Sequence, residues 1–233
     1  MSALLSMLSA WNLEYAVYYR ILPKNLDIIL VKFVKNWQIP LWTMFGLSVL
    51  AVSVYLTLGW SEAAIRSYVR MSAQISFVLF MLAFSASSLQ ALFRRGWTAV
   101  LLRNRRYIGL SFAVSHTGHL LALFMLAAYF PHPFLDRLSM GTILGGTLAY
   151  VIIAMMTITS FEIPRRRLGE RYWKWLHLYG SWYLWILFAY SYIPRAMKTE
   201  YYIPFAVLLS AVLFLRIARA YKYRQASSKA EPV

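Results

Sequence analysis

Six long stretches of the chain contain no charged residue, and they limit what the chain can fold into. They are Pro40–Trp60, Met71–Phe93, Tyr107–Phe130, Ser139–Phe161, Trp175–Pro194 and Tyr201–Leu215. A helix needs about 20 apolar residues to cross the hydrocarbon core of a bilayer. Five stretches reach that length, and Arg216 extends the sixth because its long side chain can reach the headgroups. The pattern predicts an all-α, polytopic membrane protein with six transmembrane helices.

Composition and charge favour lipid as the surrounding medium. Hydrophobic residues make up 61% of the chain and charged residues 14%, whereas about a quarter of a soluble domain is charged. The net charge of +16 falls in short clusters between the apolar stretches. We therefore expect contact with the lipid bilayer and its anionic headgroups, and no nucleic acid. Because the chain has no cysteine, disulfides and thiolate-bound metal clusters are excluded.

The basic residues predict the orientation of the chain. If the N-terminus is cytoplasmic, 19 of the 24 Lys and Arg residues fall in cytoplasmic segments and 5 fall outside. Cytoplasmic loops of membrane proteins carry the excess of positive charge. We therefore expect a multi-pass protein of the bacterial inner membrane with both termini in the cytoplasm.

The chain divides into three segments. Residues 1–38 are expected to form an N-terminal cytoplasmic and interfacial segment, in which Leu26–Trp37 is short and carries three charges. This stretch predicts an amphipathic helix in the membrane interface, or a helix packed on the bundle without lipid contact. Residues 39–221 would form the six-helix domain, and residues 222–233 a disordered cytoplasmic tail.

The motifs exclude some functions. The sequence has no G-x-G-x-x-G and no P-loop, so a nucleotide-binding domain is not expected. If the chain transfers electrons, a partner protein or a quinone must therefore supply them. The six stretches contain no Asp, Glu or Lys. Ion-coupled transporters usually need carboxylates within the membrane, so this function is not favoured. The stretches also contain no candidate residue for acid–base catalysis.

Three histidines lie within the apolar stretches. His116 and His119 are in the third stretch, and His177 is near the start of the fifth. An imidazole inside a membrane normally faces the interior of the bundle and has a partner there. It can be an axial ligand of haem iron or can hydrogen-bond a neighbouring helix. His132 lies between the third and fourth stretches and is expected to be a solvated loop residue.

Two motifs, in this order, resemble the ferric-reductase-like transmembrane family. They are Arg105-Arg106-x-x-Gly109-Leu110 with His119, and Leu168-Gly169-x-Arg171 with Leu176-His177. Within that family the chain is most similar to the branch of the haem membrane subunit of the bacterial periplasmic methionine sulfoxide reductase system. The resemblance covers about residues 40–220 and includes the basic loops and the order of the helices.

The resemblance implies b-type haem between the third and fifth helices. By position, His119 resembles the outer haem ligand of the third helix, and His177 the inner histidine of the fifth. Tyr190 stands where the family has a second histidine in the fifth helix, and the inner histidine of the third helix, expected near Arg105, is missing. His116 has no family counterpart on which we rely.

The resemblance implies a haem-b-binding transmembrane electron-transfer subunit, which would be at most the membrane component of an oxidoreductase. The outer haem would be five-coordinate through His119, would also be ligated by Tyr190, or would use another second ligand. In the alternative, haem has been lost and the chain is a structural or adaptor subunit of a larger membrane complex.

Overall fold

A computed structural model of the chain describes residues 36–132 and 139–228. The regular elements of these ranges are all helical, which confirms the predicted all-α class. In chain order they are α1 (Gln38–Leu58), α2 (Glu62–Phe93), α3 (Gly96–Arg103), α4 (Arg105–Tyr129), α5 (Met140–Ile158), α6 (Glu162–Leu168), α7 (Glu170–Ala196) and α8 (Ile203–Ser228). A 3-10 turn, Glu200–Tyr202, precedes α8.

Five of the helices are long and apolar enough to cross a membrane, namely α1, α2, α4, α5 and α8. The fifth predicted stretch lies in α7, whose 27 residues would extend about 40 Å at 1.5 Å per residue. Its many Tyr and Trp residues and the charges of its first turns lower its mean hydropathy. A sixth span therefore stays a prediction.

The described residues cover the two ends of the predicted domain to different extents. The expected N-terminal helix Leu26–Trp37 lies almost entirely outside the described residues, as do residues 229–233. At the other end, α8 continues to Ser228, so residues 222–228 are helical where a disordered tail was expected. Lys222 contributes to this, because its Nζ donates a hydrogen bond of 2.9 Å to the carbonyl oxygen of Ala91 in the last turn of α2.

Local chemistry sets the helix boundaries. The hydroxyl of Ser61 accepts a hydrogen bond from the backbone N–H of Ala64 at 3.2 Å and caps α2, and Ser139 caps α5 in the same way through Thr142. Gly169 separates α6 from α7 with a φ of +83°, a left-handed conformation that glycine adopts without steric cost.

The core of the bundle lies between α2, α4, α5, α7 and α8. Its largest cluster contains buried aromatic side chains from three of these helices, including Phe77 and Phe84 of α2, Phe112 of α4 and Phe188 of α7. In contrast, α1 buries only Pro40 and Leu47. Thus α1 covers the outside of the bundle, whereas α2 and α4 form its centre.

One end of the bundle is rich in arginine. Here α2 ends, α3 connects it to α4, and α6 leads into α7. We call it the arginine-rich end, and its arginines are Arg94, Arg95, Arg103, Arg105, Arg106, Arg165, Arg166 and Arg167.

A further arginine joins α8 to α2. Arg216 of α8 donates a hydrogen bond of 3.0 Å to the carbonyl oxygen of Phe84. Its guanidinium carbon lies 3.9 Å from the centre of the Phe84 ring, a cation–π contact that holds α8 on α2.

Candidate cofactor site

His119 is held in one orientation by α2. Its Nδ1 lies 2.9 Å from the carbonyl oxygen of Val69 and 3.4 Å from the hydroxyl of Ser72. Because a carbonyl oxygen only accepts, Nδ1 carries the proton and Nε2 of the neutral ring carries a lone pair. Metal-binding histidines have this arrangement, in which a backbone carbonyl orients the ring through the nitrogen that does not bind the metal.

Buried serines hold α2 against α4 beside His119. The Ser76 hydroxyl donates to the Ser115 hydroxyl at 2.9 Å, and Ser115 donates to the carbonyl oxygen of Ser72 at 3.2 Å. All three serines have no exposed surface. Small side chains let the two backbones approach closely, so the position of Val69 relative to the imidazole is well defined.

His116 lies one turn before His119 on α4, and the centres of the two rings are 5.3 Å apart. Its ring is also 4.9 Å from that of Tyr150 on α5. The His116 Nδ1 and the Tyr150 hydroxyl are both buried, and neither has a hydrogen-bond partner among the described residues. Such an unsatisfied group costs about 1–3 kcal/mol, which makes this pair a candidate contact for a ligand atom or water.

A cavity of about 350 Å³ lies at the arginine-rich end, between α2, α4, α5 and α7. Ligand pockets commonly have volumes of about 300–1,000 Å³. Its interior is apolar and includes Phe80, Phe84, Phe112, Ile153, Met156 and Leu184. Its polar lining includes four arginines, Arg103, Arg105, Arg106 and Arg165.

Two of these arginines, Arg105 and Arg165, are held by neighbouring side chains. Arg105 donates a hydrogen bond of 3.0 Å to the hydroxyl of Ser87. Arg165 pairs with the Glu170 carboxylate at 2.8 Å, and its guanidinium lies 4.0 Å from the centre of the Trp173 ring. Burial raises the pKa of Glu170, but the hydrogen bond and charge of Arg165 and the charge of Lys174 bring it below its ordinary value. This carboxylate is outside the lining of the cavity.

His177 lines the same cavity. Its Nε2 is 3.3 Å from the hydroxyl of Thr159, and its ring centre lies 4.9 Å from that of Trp173. The nitrogen that would bind a metal is therefore engaged with a hydroxyl. To bind haem iron, His177 would have to release Thr159.

An aromatic layer separates the cavity from the two imidazoles. Phe112 lines the cavity and also packs against His116, with ring centres 5.4 Å apart. Phe80 and Phe188 complete the layer, and their ring centres are 5.3 Å apart. The imidazole pair and the cavity are thus distinct parts of the structure, and α4 contributes to both.

Tyr190 is not brought to either place. Its side chain is 72% exposed, whereas Phe188 and Tyr192 are 9% and 4% exposed. Residues two apart on a helix point in nearly opposite directions, so Tyr190 lies on the outer face of α7. The placement does not support Tyr190 as a ligand opposite His119. His132 is exposed, in keeping with a solvated position.

The donors present suit a cofactor that brings its own ligands. Among the described residues, no group of three or more His, Asp or Glu side chains is placed to hold a metal ion. Haem iron takes one or two axial ligands from the protein, and the oriented imidazole of His119 fits that requirement. The sequence does not point to Val69, because its contribution is a backbone carbonyl oxygen, or to Tyr150, because a tyrosine does not stand out within an apolar stretch.

Comparison with family models, with curated proteins and with solved structures finds no match to the chain.

Proposed function

We propose that the chain is a haem-b-binding transmembrane electron-transfer subunit of the ferric-reductase-like type. The observation that carries the proposal is the environment of His119, where the carbonyl oxygen of Val69 orients the ring and leaves Nε2 with its lone pair. Haem, when bound, supplies a one-electron redox change at its iron. Lipid-facing helices support a position in a bilayer. A bacterial inner membrane, six spans and cytoplasmic termini are part of the proposal.

In this proposal the residues of the chain hold and orient the cofactor. His119 is the first candidate to hold the haem, and His116 would be the second, because its Nδ1 has no partner among the described residues. His177 would hold a haem in the cavity, where arginines suit the negative charge of its carboxylates. A partner protein or a quinone would donate and accept the electrons.

A second function is favoured by one observation. His116 and His119 lie on the same face of α4, so they are not placed on opposite sides of one iron, and no second helix presents a histidine to them in the described residues. A haem-free structural or adaptor subunit of a larger membrane complex would keep the fold without completing the ligand pair.

An absorption spectrum of the purified protein, expressed with ample haem, separates the two functions. A Soret band is expected for the electron-transfer subunit, and His119→Ala should abolish it because the oriented donor is lost. Tyr190→His is the control: its position is 72% exposed, so the band should be unchanged.

Three results would contradict parts of this proposal. A normal Soret band in His119→Ala together with its loss in His116→Ala would assign the ligand to His116. A change to a low-spin spectrum in Tyr190→His would place residue 190 at the iron. Wild-type protein without any Soret band would favour the structural subunit.

A further inference from the structure

The cavity at the arginine-rich end combines a cationic mouth with an apolar interior. Three helices supply the four guanidinium groups, with Arg103 on α3, Arg105 and Arg106 on α4, and Arg165 on α6. Among the described residues that line the cavity, none is Asp or Glu. Glu170 pairs with Arg165 from outside the lining. The positive charges at this mouth repel one another. An anion bound there would reduce this repulsion and would therefore be stabilised.

The polar groups around the mouth suit a phosphate. Guanidinium groups bind phosphate oxygens through paired, charge-assisted hydrogen bonds. The hydroxyl of Ser87 also lines the cavity, and it can donate a hydrogen bond while it accepts the one from Arg105. Below them the wall is formed by the aromatic and aliphatic side chains of the interior. A phosphate alone would leave this apolar volume without contacts, so the ligand that fits has an anionic head and an apolar body.

We propose that the cavity binds one anionic phospholipid, with its phosphate at the arginines and an acyl chain in the interior. Positive charge at the end of spanning helices lies at the depth of the headgroups. The Nε2 of His177, which lines the cavity, already has the Thr159 hydroxyl as its polar partner. This histidine therefore does not need a metal ion as a partner. The phospholipid would take the place of any haem held by His177 in this cavity. The proposal therefore fits a subunit whose haem is held by His119, and equally an adaptor subunit without haem.

Native mass spectrometry of the full-length protein in a neutral detergent tests the proposal. The probes are lysophosphatidylglycerol, lysophosphatidylcholine with the same acyl chain, and inorganic phosphate. We expect one lysophosphatidylglycerol to bind about tenfold more tightly than the zwitterionic lipid, because both carry the phosphate but only lysophosphatidylcholine brings a cationic choline to the arginines. Inorganic phosphate should not displace it at equal concentration, because the acyl chain contributes to binding.

Two sets of variants test the head and the body of the ligand separately. Arg103→Gln and Arg106→Gln should each weaken lysophosphatidylglycerol binding about tenfold. Arg167→Gln is the matched control, because Arg167 is exposed on α6 and does not line the cavity. Gly109→Leu tests the body: Gly109 lines the cavity, and a Cβ there would meet no atom within 4 Å. The leucine should fill part of the cavity and weaken binding without a change of charge.

Several outcomes would overturn the proposal. They are equal binding of the two lysolipids, equal losses in Arg103→Gln and Arg167→Gln, full displacement by inorganic phosphate, and unchanged binding in Gly109→Leu. Co-purified haem that is lost in Arg103→Gln and Gly109→Leu, with no lysolipid bound to wild type, would assign the cavity to haem. If the arginine variants do not fold, the wild-type comparison of the lysolipids and Gly109→Leu still decide.

Discussion

At the scale of single residues, Gly180 sets how closely α5 and α7 pack. A Cβ at this position would lie 2.8 Å from Cγ2 of Ile152 and 2.8 Å from Sδ of Met156. Met156 is flexible, but the β-branched side chain of Ile152 is restricted at χ1, so an added methyl group would push the helices apart. Nearby, the hydroxyl of Tyr183 donates a hydrogen bond of 2.9 Å to the carbonyl oxygen of Gly145, and this bond depends on the same close approach.

We expect Gly180→Ala to destabilise the protein by about 1–3 kcal/mol, the usual cost of overpacking. Gly146→Ala on α5 is the matched control, because its Cβ would meet no atom within 4 Å and alanine favours a helix by about 0.5–1 kcal/mol over glycine. Thermal unfolding in detergent, followed by circular dichroism, measures both variants. Equal midpoints for the two variants would refute the close contact at residue 180.

At the scale of helices, the pairing of α2 with α4 positions the proposed ligand. Ser72, Ser76 and Ser115 are completely buried, and their hydrogen bonds join the two helices beside His119. The carbonyl oxygen of Val69 belongs to α2, whereas the imidazole belongs to α4. Any change that separates these helices therefore also changes the orientation of the imidazole.

Replacing Ser115 by leucine should destabilise the protein by about 1–3 kcal/mol, because the larger side chain does not fit between α2 and α4. Ser210→Leu is the control, since Ser210 is exposed on α8 and leucine is favourable where a helix faces lipid. The measurements are the unfolding midpoint and, if haem is bound, the Soret absorbance per protein. If the Ser115→Leu protein is as stable as the Ser210→Leu protein, the contact between α2 and α4 tolerates large side chains and the prediction is wrong.

At the scale of the whole molecule, the two candidate ligand positions lie at different depths along α4. Gly109 lines the cavity and His116 belongs to the imidazole pair, so about 10 Å of helix separates them at 1.5 Å per residue. The arginines are at the cavity end. If that end is cytoplasmic, as the distribution of basic residues predicts, the cavity faces the inner leaflet and the imidazole pair lies in the outer half of the bilayer.

Reporter fusions test this orientation. Fusions after Arg95, Arg167 and Tyr223 are expected to report the cytoplasm, because the flanking segments hold most of the positive charge. A fusion after Lys198 is expected to report the outer side, since α7 would cross the bilayer before it. An outer report at Arg167, or a cytoplasmic report at Lys198, would contradict six spans.

The sequence by itself determined the helical class and most helix positions, because a long uncharged stretch has few alternatives to a helix. It also singled out His119 and His177, which both lie partly buried in the bundle. Only the tertiary structure decided which groups face them, since Val69 is 50 residues from His119 and such contacts depend on how helices pack. The same holds for Tyr190, whose exposure follows from which face of α7 meets the core. The cavity likewise depends on how the helices pack, which brings Arg165 of α6 into the same lining as Arg103 and Arg105, and local sequence patterns do not encode this.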